Sequence, residues 1–497
     1  MKFKVKDMNI ATGSVLVAVM NEKDAFKLDI HSKDRVKIIK GKKIETVVVD
    51  IAESCKTVPQ GRIGLFEEVL DSLKAKNNDT IRMIPARKPL SIDSIKKKLD
   101  GKDLTKEEIN QIVWDIVHNK LDSIELTYFV AAGYTKSFSM KETKWLTEAM
   151  VSHGDILKIS KHPIIDKHCI GGIPGNRTTM VIVPILAAAG LAIPKTSSRS
   201  ITSPAGTADT MEVLCDICVP LKKMKAIVKK INGCIVWGGA MNLAPADDKI
   251  IKVEYPLGID AESQLLASIM AKKLSVSSTH ILIDIPVGKG AKVESMREAK
   301  KLKHDFEKLG NLLGRRVKVI ITDGSQPIGN GIGPALEARD VLWLFENDSR
   351  APQDLKKKSL IMAGTILEMV GEAPPLLGYR KAKKIVESGL AYKKLIQIIK
   401  AQGARITSSK RIKLAKFSFD FTAKKTGIIS KINNKSISKI ARIAGAPINS
   451  SSGMYLYKHV GDKVKKGERI FTVYAESKDK IEYAKDTLKK VDGIKII

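Results

Sequence analysis

The chain has 497 residues, of which 43% are hydrophobic and 28% are charged, and its formal net charge is +32. This length exceeds what one hydrophobic core supports, so three or four domains of a globular protein are expected. The sequence has no apolar run of the roughly 18 residues that a membrane span needs, and no apolar signal-peptide segment follows Met1. A cytoplasmic protein without membrane contact is therefore expected.

The positive charge is spread along the whole chain, without a basic tail, and only 5% of residues are aromatic. Few side chains are therefore available for stacking on bases, and nucleic acid is not expected as a partner. The charge is interpreted as a lysine-rich solvated surface that also attracts anionic substrates. The CxxC pair Cys215 and Cys218 has no second pair of ligands, so neither a metal nor any other cofactor is expected.

Residues 1–84 alternate short apolar runs with turn residues, which predicts a β-rich N-terminal module similar to a small barrel. A short helix is predicted over Phe66–Lys74. The predicted strands are Ser14–Met20, Arg35–Ile39, Ile44–Ile51 and Thr80–Ile84.

The hydrophobic period becomes helical in residues 85–160, where Thr105 and Ser139 begin two capping boxes that precede apolar helix faces. Residues 240–278 are helical as well, and we expect them to join this helical domain from a distance. The domain would then interrupt the next one along the chain.

Residues 160–410 alternate apolar runs, such as Val181–Leu186 and Val317–Thr322, with helical stretches. This alternation predicts an α/β domain. Residues 411–497 return to strands and turns, and the basic turn Gly461–Glu468 before an apolar run is typical of a barrel-sandwich hairpin. A structural role is favoured over a carrier role there, because Lys478 and Lys480 lie in a helix-like polar stretch and not in a hairpin, where a carrier has its modified lysine.

Two loops in the predicted α/β domain are rich in groups that bind anions. The first twelve residues of the segment Lys195–Glu212 combine hydroxyls, an arginine, a lysine and a glycine. They lie between the apolar run Val181–Ile193 and the helix-like run Met211–Leu214. A strand, a loop and a helix in that order bind phosphate through loop N–H groups and the helix dipole. In the segment Lys167–Thr179, glycines allow close approach of the backbone to a ligand. An ordinary polar turn is the alternative for either loop alone.

Together the two loops resemble the pyrimidine-nucleoside phosphorylase family, which includes the thymidine phosphorylases, and more closely its archaeal AMP phosphorylase branch. The resemblance covers residues 90–475. The residues that carry it are Lys167-His168-x-x-Gly171-Gly172, Ser197-x-Arg199, Gly206-Thr207-x-Asp209, the run Ala267–Lys273, and the turn Gln326–Gly329 with Glu337.

The resemblance implies an α/β multidomain fold in which a helical domain and an α/β domain form a cleft, with β-rich N-terminal and C-terminal modules. It also implies a homodimer or larger homo-oligomer. The implied reaction is phosphorolysis of AMP or a related nucleoside 5′-monophosphate, in which AMP and inorganic phosphate give adenine and ribose 1,5-bisphosphate.

Site residues are implied by the same resemblance. The phosphate ligands would be Lys167, Thr178, Ser197 and Thr207. The residues that bind the nucleotide would be Gly172, Ser198, Arg199, Ser200, Ile201, Thr202, Ser203, Thr207, Ser268, Lys272 and Lys292. Which of the two loops holds which anion stays open, as do a structural ion pair for Arg199 and a solvated position for Lys292.

The sequence departs from the pyrimidine enzymes at positions beside the base and beside the phosphate. Gly258 stands where those enzymes carry an arginine that reads the pyrimidine, and Asp260 adds a carboxyl two residues later. Asp260 is the candidate proton donor to the leaving purine, with a helix N-cap as the alternative role. Cys169 replaces a phosphate-binding serine, and a thiol is a poor donor.

Three other functions stay open at this point. The first is a pyrimidine nucleoside phosphorylase, and the second is an anthranilate-type phosphoribosyltransferase, whose fold is related. The third, from another class, is a basic nucleic-acid-binding protein, whose affinity would fall steeply with salt.

Overall fold

A computed structural model describes residues 1–12, 16–86, 88–200, 203–259, 261–490 and 493–497 of the chain. It divides into two compact units. The first comprises residues 1–153 and 244–268, and the second comprises residues 154–243 and 269–497. Among the described residues, no helix combines the length and the apolar character that crossing a membrane requires.

The first unit begins with a closed barrel of six strands in the order β1-β5-β2-β4-β3-β6. Phe3 and Val5 point into its core while Lys4 between them faces solvent. Strands β1 and β5 were not among the predicted strands, because every second residue of β1 is lysine and β5 is only four residues long. The bounds are β1 Lys2–Asp7, β2 Val17–Asn21, α1 Glu22–Lys27, β3 Arg35–Lys40, β4 Lys43–Ala52, β5 Arg62–Leu65, α2 Glu67–Leu73 and β6 Thr80–Pro85.

Helices make up the rest of the first unit. Thr105 and Ser139 cap α4 and α6 with the reciprocal hydrogen bonds of a capping box, which confirms both predictions. The helices are α3 Ser91–Leu99, α4 Lys106–Val117, α5 Ser123–Lys136 and α6 Met140–Ser152. Two later helices, α10 Pro245–Leu257 and the beginning of α11 Glu262–Ser275, belong to the same unit, and Lys249 of α10 donates to the carbonyls at the end of α4.

The second unit is built around five parallel strands. Two hydrogen-bonded groups, β11-β10-β7 and β8-β9, are joined by a parallel bridge between Ile164 and Ala192. The strands are β7 Ile165–Cys169, β8 Ile193–Ser197, β9 Gly233–Trp237, β10 His280–Val287 and β11 Arg316–Asp323. The helices are α7 Thr178–Ala188, α8 Thr207–Glu212, α9 Leu221–Ile231, α12 Met296–Leu312, α13 Pro334–Glu346, α14 Gln353–Met369, α15 Gly378–Glu387 and α16 Leu390–Ala401.

One local prediction in this unit is wrong. The apolar run Val181–Leu186 is not a strand before the anion loop but the middle of helix α7. Every residue from Thr178 to Ala187 is buried, so the run lacks the polar face by which a helix is recognised in sequence. The strand before the loop is β8, which ends at Ser197 inside the segment that the sequence assigned to the loop.

The C-terminal part of the second unit forms two small sheets, β12-β15-β17-β13 and β16-β14-β18. Its strand β12 comes from the α/β part of the chain, and Asn434 donates a hydrogen bond of 2.9 Å to the carbonyl of Gly324. The elements are β12 Gly331–Ile332, β13 Phe417–Thr422, β14 Gly427–Ile432, α17 Asn434–Ile443, β15 Gly453–Leu456, β16 Lys463–Val464, β17 Arg469–Ala475, α18 Lys478–Lys490 and β18 Ile494–Ile496.

Candidate active site

The order of the parallel strands marks a position where α/β proteins bind ligands. From β7 the chain passes to β8 and β9 on one side, and it then returns to β10 and β11 on the other side. Ligands of open α/β sheets bind beyond the carboxyl ends of the strands at such a reversal. Both predicted anion loops leave the sheet there, one after β7 and one after β8.

The loop between β7 and α7 depends on glycine. Gly171 and Gly172 have φ angles of +97° and +91°, which favour glycine. A Cβ atom at Gly172 would lie 2.4 Å from the backbone nitrogen of Lys292. The predicted substrate residues Gly172 and Lys292 are therefore neighbours, and both are exposed.

Lys167 and Thr178 form the base of this loop. Both side chains are buried, and the Lys167 ammonium donates a hydrogen bond of 2.8 Å to the Thr178 hydroxyl. Burial lowers the pKa of Lys167, while the nearby Cys169 and Asp284 oppose that shift. In the described part of the chain, no carboxylate lies within ion-pair distance of the Lys167 ammonium. A buried cation without a carboxylate partner is suited to an anionic ligand.

Further buried lysines surround this position. Asp166 lies 3.2 Å from both Lys195 and Lys273, while a second buried carboxylate, Asp284, lies 3.0 Å from Lys358. With Lys167, four lysines therefore accompany two aspartates, and the surplus charge is positive. Burial lowers the pKa of Lys273 to about 7, although Asp166 opposes the shift.

His168 lies among these positive charges, and they affect its pKa. Its imidazole is half-buried, and its pKa is lowered well below the ordinary value, first by burial and then by the charges of Lys273, Lys195, Lys272 and Lys167. Cys169 follows it, and burial raises the pKa of the thiol to about 11. A neutral thiol and a neutral imidazole leave the lysines to attract the anion.

The loop after β8 is closed by one carboxylate. Asp209 accepts hydrogen bonds of 2.8 Å from the backbone nitrogens of Ser200 and Gly206, which lie on either side of the loop. Gly206 permits this closure, because a Cβ atom there would lie 2.6 Å from the Ser198 carbonyl oxygen. Ile201 and Thr202, two predicted substrate residues, lie outside the described residues.

Arg199 is held by carboxylates. Its guanidinium lies 2.6 Å from Glu212 and 3.1 Å from Asp209, and it packs over the Trp237 ring. The hydrogen bond from Arg199 lowers the pKa of Glu212. This arrangement is the structural ion pair that the sequence left open as the alternative to substrate binding.

Arg177 joins the two loops. Its guanidinium is buried and donates hydrogen bonds of 2.9 Å to the Thr207 hydroxyl and 2.8 Å to the Ala205 carbonyl. It also pairs with the buried carboxylate of Glu337, which accepts from Thr210 and from the Gly333 backbone as well. Burial raises the pKa of Glu337, while Arg177 opposes the shift. Arg177 thereby links the Thr207 hydroxyl to the beginning of α7, where Thr178 follows Arg177 in the chain.

Replacing Glu337 with glutamine is expected to lower the free energy of unfolding by about 3–5 kcal/mol, because it leaves the Arg177 guanidinium buried without a carboxylate. Urea unfolding followed by tryptophan fluorescence measures the loss. The control is Glu212→Gln, whose ion pair with Arg199 is 34% and 37% exposed at its two side chains. The Glu212→Gln change is expected to lower the free energy of unfolding by less than about 1 kcal/mol. Equal losses in the two variants would contradict the assignment.

The other predicted site residues are mainly serines, and they make contacts separate from those of Lys167 and Arg177. Ser197 is half-buried, and its hydroxyl donates a hydrogen bond of 3.0 Å to the Val236 carbonyl. Ser268 and Lys272 are half-buried and lie four residues apart on α11, so they share one helix face. Ser200 and Ser203 bond to each other across the loop, while Ser198 is exposed. Asp260, the candidate proton donor, lies outside the described residues.

Three charged residues of this site lie outside the motifs that the sequence analysis singled out: the buried Asp166 and Asp284, and Lys358, whose side chain is 11% exposed. Arg177 and Lys195 lie within the two predicted anion loops, but neither was given a role. Arg177 adjoins the predicted Thr178, but its partner Glu337 lies 160 residues later. A charged residue inside an apolar run was the one available signal, and Asp284 shows it between Ile283 and Ile285.

Models of three protein families match the chain. They are the helical bundle domain of the glycosyl transferase family over residues 92–154, the a/b domain of that family over residues 161–392, and the pyrimidine nucleoside phosphorylase C-terminal domain over residues 428–495. The site described above lies mainly within the second match.

Whole-chain relatives are similar as well. The AMP phosphorylase of Thermococcus kodakarensis is 45% identical and covers 100% of this chain and 98% of its own. That of Methanococcoides burtonii is 43% identical, with coverages of 99% and 96%. A putative thymidine phosphorylase of Legionella pneumophila is 42% identical, with coverages of 93% and 89%.

Among solved structures, the anthranilate phosphoribosyltransferase of Thermus thermophilus superimposes with a TM-score of 0.53 at 18% identity. The superposition covers 62% of this chain and 99% of that chain. At this identity the similarity concerns the fold.

Proposed function

Because this chain belongs to the pyrimidine nucleoside phosphorylase family, we propose that it catalyses phosphorolysis of nucleoside 5′-monophosphates. AMP and inorganic phosphate give adenine and ribose 1,5-bisphosphate. The observation that supports this reaction most directly is the buried Lys167 ammonium, which has a hydroxyl but no carboxylate as partner among the described residues. Full-length relatives named AMP phosphorylase support AMP as the substrate.

Inorganic phosphate is bound by Lys167, Thr178, Ser197 and Thr207 in this proposal. Lys167 supplies charge, and the three hydroxyls supply hydrogen bonds with adjustable direction. Arg177 fixes the Thr207 hydroxyl beside the start of α7. Phosphate held in this way is oriented for attack on the anomeric carbon of the ribose.

In this proposal the nucleotide is bound by Gly172, Lys292, and Ser268 with Lys272 on α11. The backbone and hydroxyls of the segment 198–203 also bind it, while the carboxylates of Glu212 and Asp209 hold Arg199 in place. Cleavage of the glycosidic bond leaves positive charge on the ribose and negative charge on the departing base. Protonation of the purine at N7 by Asp260 makes the base a better leaving group. Both of these charges develop only during the reaction, so their stabilisation lowers the barrier.

Pyrimidine nucleosides are the second candidate substrates, because relatives at nearly the same identity are named putative thymidine phosphorylases. Gly258 argues against them. It ends helix α10 with a φ of +62° and has no side chain to donate to a pyrimidine carbonyl. AMP is therefore preferred over uridine and thymidine.

The family resemblance also supports a homodimer or larger homo-oligomer, which light scattering after gel filtration measures. An intracellular nucleotide as substrate fits the expected cytoplasmic location. Neither property is needed for the reaction assay.

Incubation of the purified chain with AMP, with and without inorganic phosphate, tests the function. Free adenine is expected only when phosphate is present, together with ribose 1,5-bisphosphate in equal amount. Uridine and thymidine are measured in parallel and are expected to react far more slowly. Adenine release that does not depend on phosphate would contradict phosphorolysis, and faster release from uridine would support the pyrimidine alternative.

A further inference from the structure

Helix α17, in the C-terminal part of the second unit, has one basic face. Lys435, Lys439 and Arg442 are exposed and follow one another at intervals of four and three residues, so they lie on the same side. The helix contains no acidic residue. Its other side packs Ile437 and Ile440 into the core of the C-terminal sheets.

The two ends of α17 contact loops at the candidate site. At its beginning, Asn434 bonds to the Gly324 carbonyl after β11, and Lys435 lies 3.6 Å from Glu294. Near its end, Arg442 donates a hydrogen bond of 3.4 Å to the carbonyl of Ser203. The basic face therefore extends from the loops after β10 and β11 to Ser203.

The contact of Arg442 with Ser203 matters because the positive charge of the neighbouring Arg199 is already neutralised. Arg199 is the basic residue within the segment 198–203, but Glu212 and Asp209 already neutralise its guanidinium. Asp209 also uses its second oxygen to hold the backbone of Ser200 and Gly206. Arg199 therefore acts as a positioning residue, and a dianion bound beside this segment needs a cation from another part of the chain.

We propose that Arg442 provides this cation and recognises the 5′-phosphate of the nucleotide, with Lys439 adding to the positive field. The proposal rests on the proposed function, which requires a second anion site besides that of Lys167. It assigns the 5′-phosphate to the loop after β8, beside Ser200 and Ser203, and inorganic phosphate to Lys167. The C-terminal part of the chain would then select monophosphates over nucleosides.

Kinetics of Arg442→Gln, Arg442→Lys and the control Lys435→Gln test the proposal in the full-length chain. Lys435 is a suitable control because it lies on the same helix face but pairs with Glu294 at the opposite end. Arg442→Gln is expected to raise KM for AMP about tenfold, the effect of losing one charge-assisted hydrogen bond. Arg442→Lys should retain part of the affinity, and Lys435→Gln should match the wild type.

Two inhibitors separate phosphate recognition from a general loss of structure. The inhibition constant of ribose 5-phosphate against AMP is expected to rise in Arg442→Gln by the same factor as KM. That of adenosine, which lacks the 5′-phosphate, and KM for inorganic phosphate should not change. Equal effects on ribose 5-phosphate and adenosine would overturn the proposal, as would equal kinetics of Arg442→Gln and Lys435→Gln.

The two hypotheses fail in different ways. A wild-type chain that releases no adenine from AMP would refute the proposed function. Calorimetric titration with ribose 5-phosphate would then still test Arg442, because it measures binding of a sugar phosphate without turnover. Equal affinity in wild type and Arg442→Gln in that titration would refute the assignment of Arg442.

Discussion

Replacement of Asp260 with asparagine is expected to lower kcat for AMP phosphorolysis by about 10²- to 10⁴-fold, the usual contribution of a positioned general acid. Asparagine has nearly the same shape as aspartic acid but cannot give a proton to N7 of the leaving adenine. Because the loss concerns the chemical step, KM for AMP and for phosphate should change little. Steady-state kinetics with both substrates varied gives all three quantities.

The same substitution distinguishes proton donation from helix capping. Asparagine and aspartate are about equally good N-cap residues, so a capping role alone predicts that Asp260→Asn keeps both stability and activity. Asp260→Ala would then lose about 1 kcal/mol of stability. A variant Asp260→Asn with unchanged melting temperature and strongly reduced kcat would support the acid.

A substrate that needs no proton provides the sharpest control. The base of 7-methylguanosine 5′-monophosphate already carries a positive charge, so it leaves without help from an acid. Asp260→Asn should therefore cleave this compound nearly as fast as the wild type does. If the variant lost activity on it and on AMP to the same degree, Asp260 would not be the proton donor.

Replacement of Lys167 with methionine is expected to affect activity and stability in opposite directions. Loss of a buried cation that binds inorganic phosphate costs about 2–5 kcal/mol. This corresponds to a decrease of roughly 30- to several-thousand-fold in kcat/KM for phosphate. The free energy of unfolding should be unchanged or higher, because burial disfavours the ammonium and lowers the pKa of Lys167.

Lys358→Met is the matched control for stability. Lys358 is another lysine of the site, with a side chain only 11% exposed, and its ammonium lies 3.0 Å from the buried carboxylate of Asp284. Its replacement leaves Asp284 without that partner and is expected to cost about 3–5 kcal/mol. Urea unfolding of both variants measures the difference. A Lys167→Met chain that is destabilised as much as Lys358→Met would indicate a structural role for Lys167.

Several features were predictable because their signals are local. The capping boxes at Thr105 and Ser139 depend on residues three positions apart, and the structure confirms both. The positive φ angles of Gly171 and Gly172 fit the glycine-rich loop seen in the sequence, while the predicted close approach of this loop to a ligand stays a prediction. The short motifs also led to the family that the whole-chain relatives show.

Only the tertiary structure decided which charges remain for a ligand. In sequence, Arg199 and Lys167 look alike, because both are cations within polar loops. In the structure, two carboxylates hold Arg199, whereas the Lys167 ammonium donates a hydrogen bond to a hydroxyl. Ion pairs such as that of Arg177 with Glu337 join residues 160 positions apart, and no local pattern encodes such a distance. The fully buried α7 was mistaken for a strand for a related reason, because its environment comes from distant parts of the chain. Local sequence thus determined the motifs, and packing determined the electrostatics of the site.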